Sequence, residues 1–194
     1  MELKDLIIKN RSYRRFYENE QIPYDVLLGF VEQTRYIASA RNAQPLKYII
    51  SNDKQTNEII FPYLAWAAYL QDWKGPKEGE RPSAYIIVLL DKEISKDPIC
   101  DHGIAAQTIL LLASEKGYGG CIVMSIQKEK LHKALNLPEK YEILMAIALG
   151  KPKEKVIIES MPANGDYKYW RTPDDVHHVP KRSVDELIFK LYKK

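Results

Sequence analysis

Residues 101–124 read DHGIAAQTILLLASEKGYGGCIVM, and this segment is the most informative one about the fold. Its apolar residues occupy nearly every side of a helix, which predicts a central, buried helix over residues 102–116. Asp101 has the right chemistry to cap the first turn, and Gly117 ends the helix with little strain. The apolar residues 121–124 then predict a core strand.

The segments around that helix predict a mixture of further helices and strands. Residues 84–90 (AYIIVLL) are continuously apolar, as in a strand covered on both faces. Other strands are predicted at 48–50 and 143–149, and helices at 3–7, from Pro23 to about Arg35, at 57–70 with a break at Pro62, at 128–135, and from a Ser183–Glu186 capping box through Leu191. Because helices and strands do not alternate strictly, they favour an α+β fold over a doubly wound nucleotide-binding fold.

The composition argues against several classes of protein. The chain has 194 residues and is 45% hydrophobic, so we expect 1–194 to form one domain with a substantial core. Its 29 Lys and Arg balance 26 Asp and Glu without a dominant basic face, which argues against nucleic-acid and membrane partners. No apolar run approaches the roughly 20 residues of a membrane helix, and the first residues do not resemble a signal peptide. We therefore expect a cytoplasmic protein.

Residues 71–82 (QDWKGPKEGERP) are rich in Gly, Pro and charge. This composition predicts an exposed excursion that could serve as a lid, with Trp73 as the best lid residue. For the other aromatic residues, a place in the core or in a dimer interface is favoured over stacking on substrate.

The cysteines and histidines predict no metal site. Cys100 and Cys121 lack paired spacing and are interpreted as buried free thiols. His102 is interpreted as structural. The pair His177-His178 could donate a hydrogen bond to a ligand, but no nearby Cys or carboxylate completes a metal-ligand set.

Residues 11–15 form a dense basic cluster just after the first predicted helix. Arg11, Ser12, Arg14 and Arg15 place three guanidinium groups and a hydroxyl within five positions. Arginine binds phosphate through paired, charge-assisted hydrogen bonds and keeps its charge at any relevant pH. The cluster is either an anion site or a solvated basic turn.

A polar segment, Ser39-Ala40-Arg41-Asn42-Ala43-Gln44-Pro45, follows the second predicted helix. Short amides and hydroxyls contribute little to burial and usually cap or hydrogen-bond a specific group. The segment is interpreted either as a ligand-binding loop or as a polar turn before a strand.

The order of these segments resembles the nitroreductase family. Members carry an R-S-x-R motif after the first helix, then P-S-x-x-N-x-Q-P-W, then a buried helix that leads into a Gly-rich turn and a strand. Here the corresponding segments are 11–14, 38–46 and 101–124, and the resemblance extends to Lys181-Arg182 before the last helix. It implies an α+β fold with a central, mostly antiparallel sheet wrapped by helices, in an intertwined homodimer that binds FMN at its interface.

The resemblance also implies the residues that contact FMN. Arg11, Ser12 and Arg14 would contact the phosphate, the ribityl chain or the pyrimidine edge, and Lys181 and Arg182 would help neutralise the phosphate. Ser39, Ala40 and Asn42 would reach the flavin bound mainly by the other subunit, and Gln44 would be a ligand or a support for that loop. The backbone amides of Met124 and Ser125 would face flavin N5 and O4.

Three positions depart from the family pattern. Asn10 stands where many members have a further arginine, so Arg15 or Lys181 would supply that charge. Ala38 replaces the usual proline and Leu46 the usual tryptophan. These changes affect the details of the flavin pose more than the choice of cofactor.

The resemblance implies an oxidoreductase in which NADH or NADPH and a small electron-poor acceptor, such as a nitroaromatic or a quinone, alternate in one pocket. No catalytic side chain is expected, since the flavin carries the chemistry. An arginine near the flavin N1–C2=O edge would stabilise negative charge there, and Arg14 is the candidate. One alternative is a flavin-storage or redox-sensing protein without nicotinamide turnover. Another is a family member that no longer binds FMN.

Overall fold

The computed structural model describes residues 2–193, which fall into two compact units. The larger unit contains residues 2–66 and 74–153, and the smaller unit contains residues 67–73 and 154–193. Helices and antiparallel strands are mixed along the chain, as the prediction of an α+β fold requires. The single-domain reading of 1–194 stays a prediction.

The larger unit has five helices and four strands. The helices are α1 (Leu3–Lys9), α2 (Tyr24–Gln33), α3 (Lys54–Ile60), α4 (Asp101–Glu115) and α5 (Lys128–Ala134), and the strands are β1 (Leu46–Ser51), β2 (Ala84–Asp91), β3 (Gly119–Val123) and β4 (Tyr141–Gly150). The strands form one antiparallel sheet in the order β1-β2-β4-β3.

Strand β2 lies at the centre of the core. All eight of its residues are buried, which confirms the prediction from its unbroken apolar run. Ile86 and Val88 point to one face and pack in a cluster with residues of α2 and α4, such as Leu27 and Ile109. Because side chains alternate along a strand, Tyr85 and the other odd-numbered residues are buried on the opposite face.

Helix α4 differs from its prediction at the first turn. The helix begins at Asp101 itself, and Cys100 occupies the capping position without a side-chain hydrogen bond. The prediction that Asp101 caps the helix is therefore wrong, because its carboxylate binds a different loop, described below. Cys100 is exposed and only Cys121 is buried, so the prediction of two buried thiols is half wrong. Gly117 follows the helix with a φ of 80°, as expected at a helix end.

The predicted helix over 57–70 is wrong in its second half. Helix α3 begins earlier, at Lys54, where Asp53 accepts a hydrogen bond from the Thr56 amide, and it ends at Ile60. Pro62 then lies in a single 3-10 turn, Phe61–Tyr63. Residues 64–70 are not helical, and Leu64 instead forms an isolated bridge with Ile126.

The smaller unit contains a sheet for which the sequence analysis made no prediction. Strand β5 (Lys155–Ser160) pairs in parallel with β7 (Val176–Lys181), and β6 (Trp170–Arg171) pairs antiparallel with β7. The capping box of Ser183 and Glu186 is confirmed, but helix α6 (Val184–Leu187) has only four residues and stops short of Leu191.

Residues 71–82 are divided between the two units and are less exposed than their composition suggests. Trp73 belongs to the smaller unit, where its ring lies 4.6 Å from the guanidinium carbon of Arg171. Residues 74–82 belong to the larger unit and include the buried Pro76, Glu80 and Pro82. The proposed lid stays a prediction. Among residues 2–193, no helix combines the length and apolar character needed to span a membrane.

Candidate functional site

The basic N-terminal segment lies along the beginning of strand β3. Ser12 forms a parallel bridge with Gly120, and the Tyr13 amide donates to the Gly120 carbonyl over 3.0 Å. Four residues later, the fully buried Phe16 forms a bridge with Pro152, just beyond β4. The structure therefore places Arg11, Ser12 and Arg14 beside the strand that leads to Met124 and Ser125.

Gly119 makes this close approach possible, and Gly120 is needed for a second close contact within the sheet. A Cβ atom on Gly119 would lie 2.5 Å from the Tyr13 ring and 2.8 Å from Pro152. A Cβ atom on Gly120 would overlap the carbonyl oxygen of Ala148 on the neighbouring strand. The lack of a side chain at Gly119 thus lets the Tyr13 ring pack against β3, whereas Gly120 lets β3 approach β4.

Among the clustered arginines, Arg11 has the guanidinium that is most available to bind an anion. One terminal nitrogen donates to the Ile7 carbonyl over 2.7 Å, at the last turn of α1, where a cation is favourable. Its Nε is buried and has no acceptor, and within residues 2–193 no carboxylate forms an ion pair with this guanidinium. The guanidinium can therefore still donate hydrogen bonds to an anion.

Arg14 and Ser12 lie at the same surface. A terminal nitrogen of Arg14 donates to the Ser12 carbonyl over 3.2 Å, which holds the arginine side chain over its own loop. Ser12 is exposed. Both residues are therefore at least partly exposed, close to Arg11 in the sequence.

Arg15 is engaged in a different way. Its Nε and one terminal nitrogen donate to the two carboxylate oxygens of Glu80 over 2.8 and 2.7 Å. Lys153 lies 3.1 Å from the same carboxylate. These hydrogen bonds, that from Arg15 first, lower the pKa of Glu80 from 4.5 to about 2.

The Arg15–Glu80 pair indicates a structural role for Arg15, whose assignment to the cofactor stays a prediction. Sequence reasoning missed Glu80, which is separated from Arg15 by 65 positions. Glu80 is one of three acidic residues in the Gly- and Pro-rich segment 71–82, and nothing in the sequence distinguishes it from Asp72 and Glu78.

Met124 and Ser125 follow the end of β3 and are both exposed. Their carbonyls accept hydrogen bonds from the amides of Ile126 and Ala65, over 3.0 and 2.8 Å. Within the described residues, neither of their own N–H groups donates to the chain. Two adjacent free amides at an exposed strand end are suitable donors for a ligand.

Hydrogen bonds to Asp101 hold the polar loop 39–45 against the first turn of α4. The Ser39 hydroxyl donates to Asp101 over 2.5 Å, and the Ala40 amide donates to the other oxygen of the same carboxylate over 2.9 Å. Ser39 also accepts a hydrogen bond from the Gln44 amide over 2.9 Å. Asp101 is therefore the anchor of this loop, a role that the sequence analysis did not assign to it.

The same loop has an unusual backbone. Arg41, Asn42 and Gln44 have φ values of 54°, 53° and 52°, in the left-handed region that residues with a Cβ rarely adopt. The Gln44 side chain donates to both the backbone and the side-chain oxygen of Asn42. Such strain is typical of loops shaped for binding, since the surrounding bonds have to hold it in place.

Lys181 and Arg182 belong to the smaller unit. Lys181 is the exposed last residue of β7, and Arg182 forms an exposed ion pair of 3.0 Å with Glu186. In the same sheet, His178 stacks on Trp170 and lies 2.7 Å from Glu159, while His177 is buried beside Tyr169. A ligand role for these residues stays a prediction.

The family of the chain follows from comparison with known proteins. A profile of the nitroreductase family matches residues 7–151, which include both motif segments and the sheet of the larger unit. The chain belongs to the nitroreductase family. This nitroreductase family member is 26% identical over 170 residues to YfhC of Bacillus subtilis (strain 168), a protein provisionally named an NAD(P)H nitroreductase; the match covers 78% of this chain and 85% of YfhC.

Solved structures share the fold of this family member. A nitroreductase family protein from Clostridium novyi NT is 25% identical, has a TM-score of 0.63, and is matched over 79% of this chain and 88% of its own. A protein from Desulfovibrio desulfuricans, provisionally described as a nitroreductase and solved in complex with FMN, is 23% identical with a TM-score of 0.70. That match covers 98% of this chain and 97% of the other.

Proposed function

We propose that this nitroreductase family member is an FMN-dependent NAD(P)H oxidoreductase that reduces small electron-poor acceptors such as nitroaromatics or quinones. It works as a homodimer with FMN at the subunit interface. The observation that carries the proposal is the Arg11 guanidinium, which has no carboxylate partner among residues 2–193 and a buried Nε without an acceptor.

The N-terminal residues have the chemistry to hold the phosphate end of FMN. Arg11 offers a positive charge that no carboxylate among residues 2–193 neutralises, and the next residue, Ser12, is exposed and adds a hydroxyl. Since arginine pairs with phosphate through two parallel hydrogen bonds, Arg11 is the principal phosphate ligand.

The free amides of Met124 and Ser125 have the chemistry to bind the isoalloxazine ring. When bound, FMN supplies hydride transfer at its N5 atom. The two amides donate hydrogen bonds to N5 and O4, which fixes the ring without any catalytic side chain. Arg14 provides the positive charge that favours an anionic N1–C2=O edge.

The strained loop 39–45 reaches the flavin held mainly by the partner subunit, through Ser39, Ala40 and Asn42, with Gln44 as ligand or support. Support for self-association comes from exposed apolar side chains. On α1, Leu3, Ile7 and Ile8 are 64%, 47% and 51% exposed. Clustered exposed apolar side chains of this kind are typical of a surface that is covered by a partner.

The family comparisons support the same proposal at a coarser level. YfhC is named for NAD(P)H and nitro-group reduction, and the protein from Desulfovibrio desulfuricans binds FMN. The second candidate, a flavin store or redox sensor, would use the same phosphate site but would not react with a nicotinamide nucleotide.

An absorbance spectrum of the purified protein, taken anaerobically before and after addition of NADH or NADPH, tests the proposal. The enzyme would show flavin absorbance that bleaches promptly and returns when a quinone is added. A yellow protein that does not bleach would support the store or sensor instead. Colourless protein, even after incubation with FMN, would contradict both.

A further inference from the structure

A cavity of about 360 Å³ in the larger unit lies between α3 and the approach to β2, and no role in flavin binding has been assigned to it. Its lining includes Phe61, Arg81, Ser83 and Tyr85, with Glu18 and Lys54 among the other residues. The volume lies at the lower end of the range for small-molecule sites. None of the proposed flavin ligands contributes to it.

Three of its side chains carry buried polar atoms without partners. Arg81, Ser83 and Tyr85 are alternate residues on the way into and along β2, and all three line the cavity. Ser83 and Tyr85 are 2% and 1% exposed. The Arg81 Nε, the Ser83 hydroxyl and the Tyr85 hydroxyl have no hydrogen-bond partner within residues 2–193. Because unpaired buried polar groups are costly, each of these three needs a hydrogen-bond partner that the described part of the chain does not supply.

The charge of Arg81 is also unmatched. Its guanidinium carbon lies 4.5 Å from the centre of the Phe61 ring, which positions the group without neutralising it. Among the described residues, no carboxylate lies within ion-pair distance of it. The carboxylate of Glu18 instead accepts hydrogen bonds from the backbone amides of Gly79 and Arg81, over 2.5 and 3.2 Å.

Two further polar side chains of the cavity already have partners. Asn57 donates to the Ser83 carbonyl over 3.0 Å and accepts from the Ser51 hydroxyl over 2.7 Å. Lys54 lies 4.0 Å from Glu58 at the exposed rim. The buried lining groups without a partner among the described residues are the Arg81 guanidinium Nε and the hydroxyls of Ser83 and Tyr85.

We propose that this cavity binds a small monocarboxylate that carries a hydroxyl or keto oxygen. The carboxylate pairs with the Arg81 guanidinium, which suits a planar, two-oxygen anion. The second oxygen gives the hydroxyls of Ser83 and Tyr85 the partner that they lack. A dianion is disfavoured, because Glu18 and Glu78 also line the cavity and only one unpaired cation is there to balance its charge.

Titration calorimetry of the full-length protein with lactate tests the proposal, with malonate and inorganic phosphate as dianionic comparisons. Lactate is expected to bind at one saturable site per chain, and malonate and phosphate at least tenfold more weakly. Arg81→Gln is expected to weaken lactate binding about tenfold or more, in line with the loss of a charged hydrogen-bonded pair. Arg35→Gln is the matched control, since Arg35 also lies near an aromatic ring, Tyr36, but outside the cavity.

Two conservative variants keep the test decisive if Arg81→Gln does not fold. Ser83→Ala and Tyr85→Phe each remove one hydroxyl with almost no change in shape, and each is expected to weaken lactate binding several-fold. The proposal is overturned if the wild-type protein does not bind lactate, if malonate binds as tightly as lactate, or if all three cavity variants bind lactate like the Arg35→Gln control. None of these outcomes depends on FMN.

Discussion

The Glu80 carboxylate accepts two hydrogen bonds from the Arg15 guanidinium, over 2.8 and 2.7 Å, in a pair whose side chains are 5% and 13% exposed. Backbone bonds reinforce the contact, since the Phe16 amide donates to the Glu80 carbonyl and the Lys153 amide donates to the Arg15 carbonyl. These bonds join three distant segments of the chain, at residues 15–16, 80 and 153, and residues 15–16 directly follow the proposed flavin ligand Arg14 in the sequence.

Glu80→Gln is expected to lower the free energy of unfolding by about 3 kcal/mol, because it leaves a buried guanidinium without its carboxylate. Denaturant unfolding measures the change. Glu93→Gln is the matched control, since Glu93 forms an exposed ion pair of 3.0 Å with Lys140 and its loss should cost under about 1 kcal/mol. Equal losses in the two variants would contradict the structural role of the Arg15–Glu80 pair.

The same carboxylate predicts a dependence of stability on pH. In the folded protein the pKa of Glu80 is lowered to about 2, below its ordinary value of 4.5, by the hydrogen bond from Arg15. The stabilisation is therefore complete above pH 4.5 and is lost as the pH falls from 4.5 towards 2. The difference in unfolding free energy between the wild type and Glu80→Gln should shrink across that interval. A difference that stays constant from pH 7 to pH 3 would show that Glu80 is not held ionised by Arg15.

Gly120→Ala is expected to destabilise the protein by more than about 2 kcal/mol, because the new methyl group would meet the rigid carbonyl of Ala148. Gly29→Ala, in α2, is the control. Nothing lies within 4 Å of its added methyl group, and helix propensity predicts a gain of roughly 0.5–1 kcal/mol. Thermal and denaturant unfolding of both variants measure the contrast, and a tolerated Gly120→Ala would argue against the close approach of Gly120 to Ala148 on β4.

Asp101→Asn is expected to loosen the loop 39–45 and to weaken FMN binding several-fold, because an amide cannot accept both the Ser39 and the Ala40 hydrogen bonds. Fluorescence titration with FMN measures the affinity. Asp97→Asn provides the control, since Asp97 accepts a backbone hydrogen bond from Ile99 in an exposed loop elsewhere. An unchanged FMN affinity in Asp101→Asn would mean that the loop does not contribute to the flavin site.

Much of the larger unit could be predicted because its signals are local. The apolar run 84–90 corresponds to a fully buried strand, and the apolar segment after Asp101 corresponds to a helix of 15 residues, of which seven are buried. Contacts between distant segments could not be predicted in the same way. Nothing in the composition of residues 71–82 identifies Glu80 as the partner of Arg15, and nothing near Asp101 indicates that it binds Ser39 rather than capping its own helix.

The sheet of the smaller unit was missed for a related reason. Strands β5 and β7 pair in parallel across an interval that contains β6, and their apolar residues are short runs between charged ones. Parallel pairing depends on contacts between distant segments, so periodicity within each short run gives a weak signal. The motif residues of the larger unit were easier to identify, because their order along the chain resembles that of a known family.

The FMN content of the Arg11→Ala/Arg14→Ala double variant, purified beside the wild type, tests most directly whether the N-terminal arginines hold the flavin. Lys47→Ala/Lys96→Ala, which removes two exposed positive charges elsewhere, controls for the change in net charge. We expect the arginine variant to be folded by circular dichroism but nearly free of flavin, while the lysine variant keeps wild-type content. Full FMN content in the folded arginine variant would contradict the site assignment.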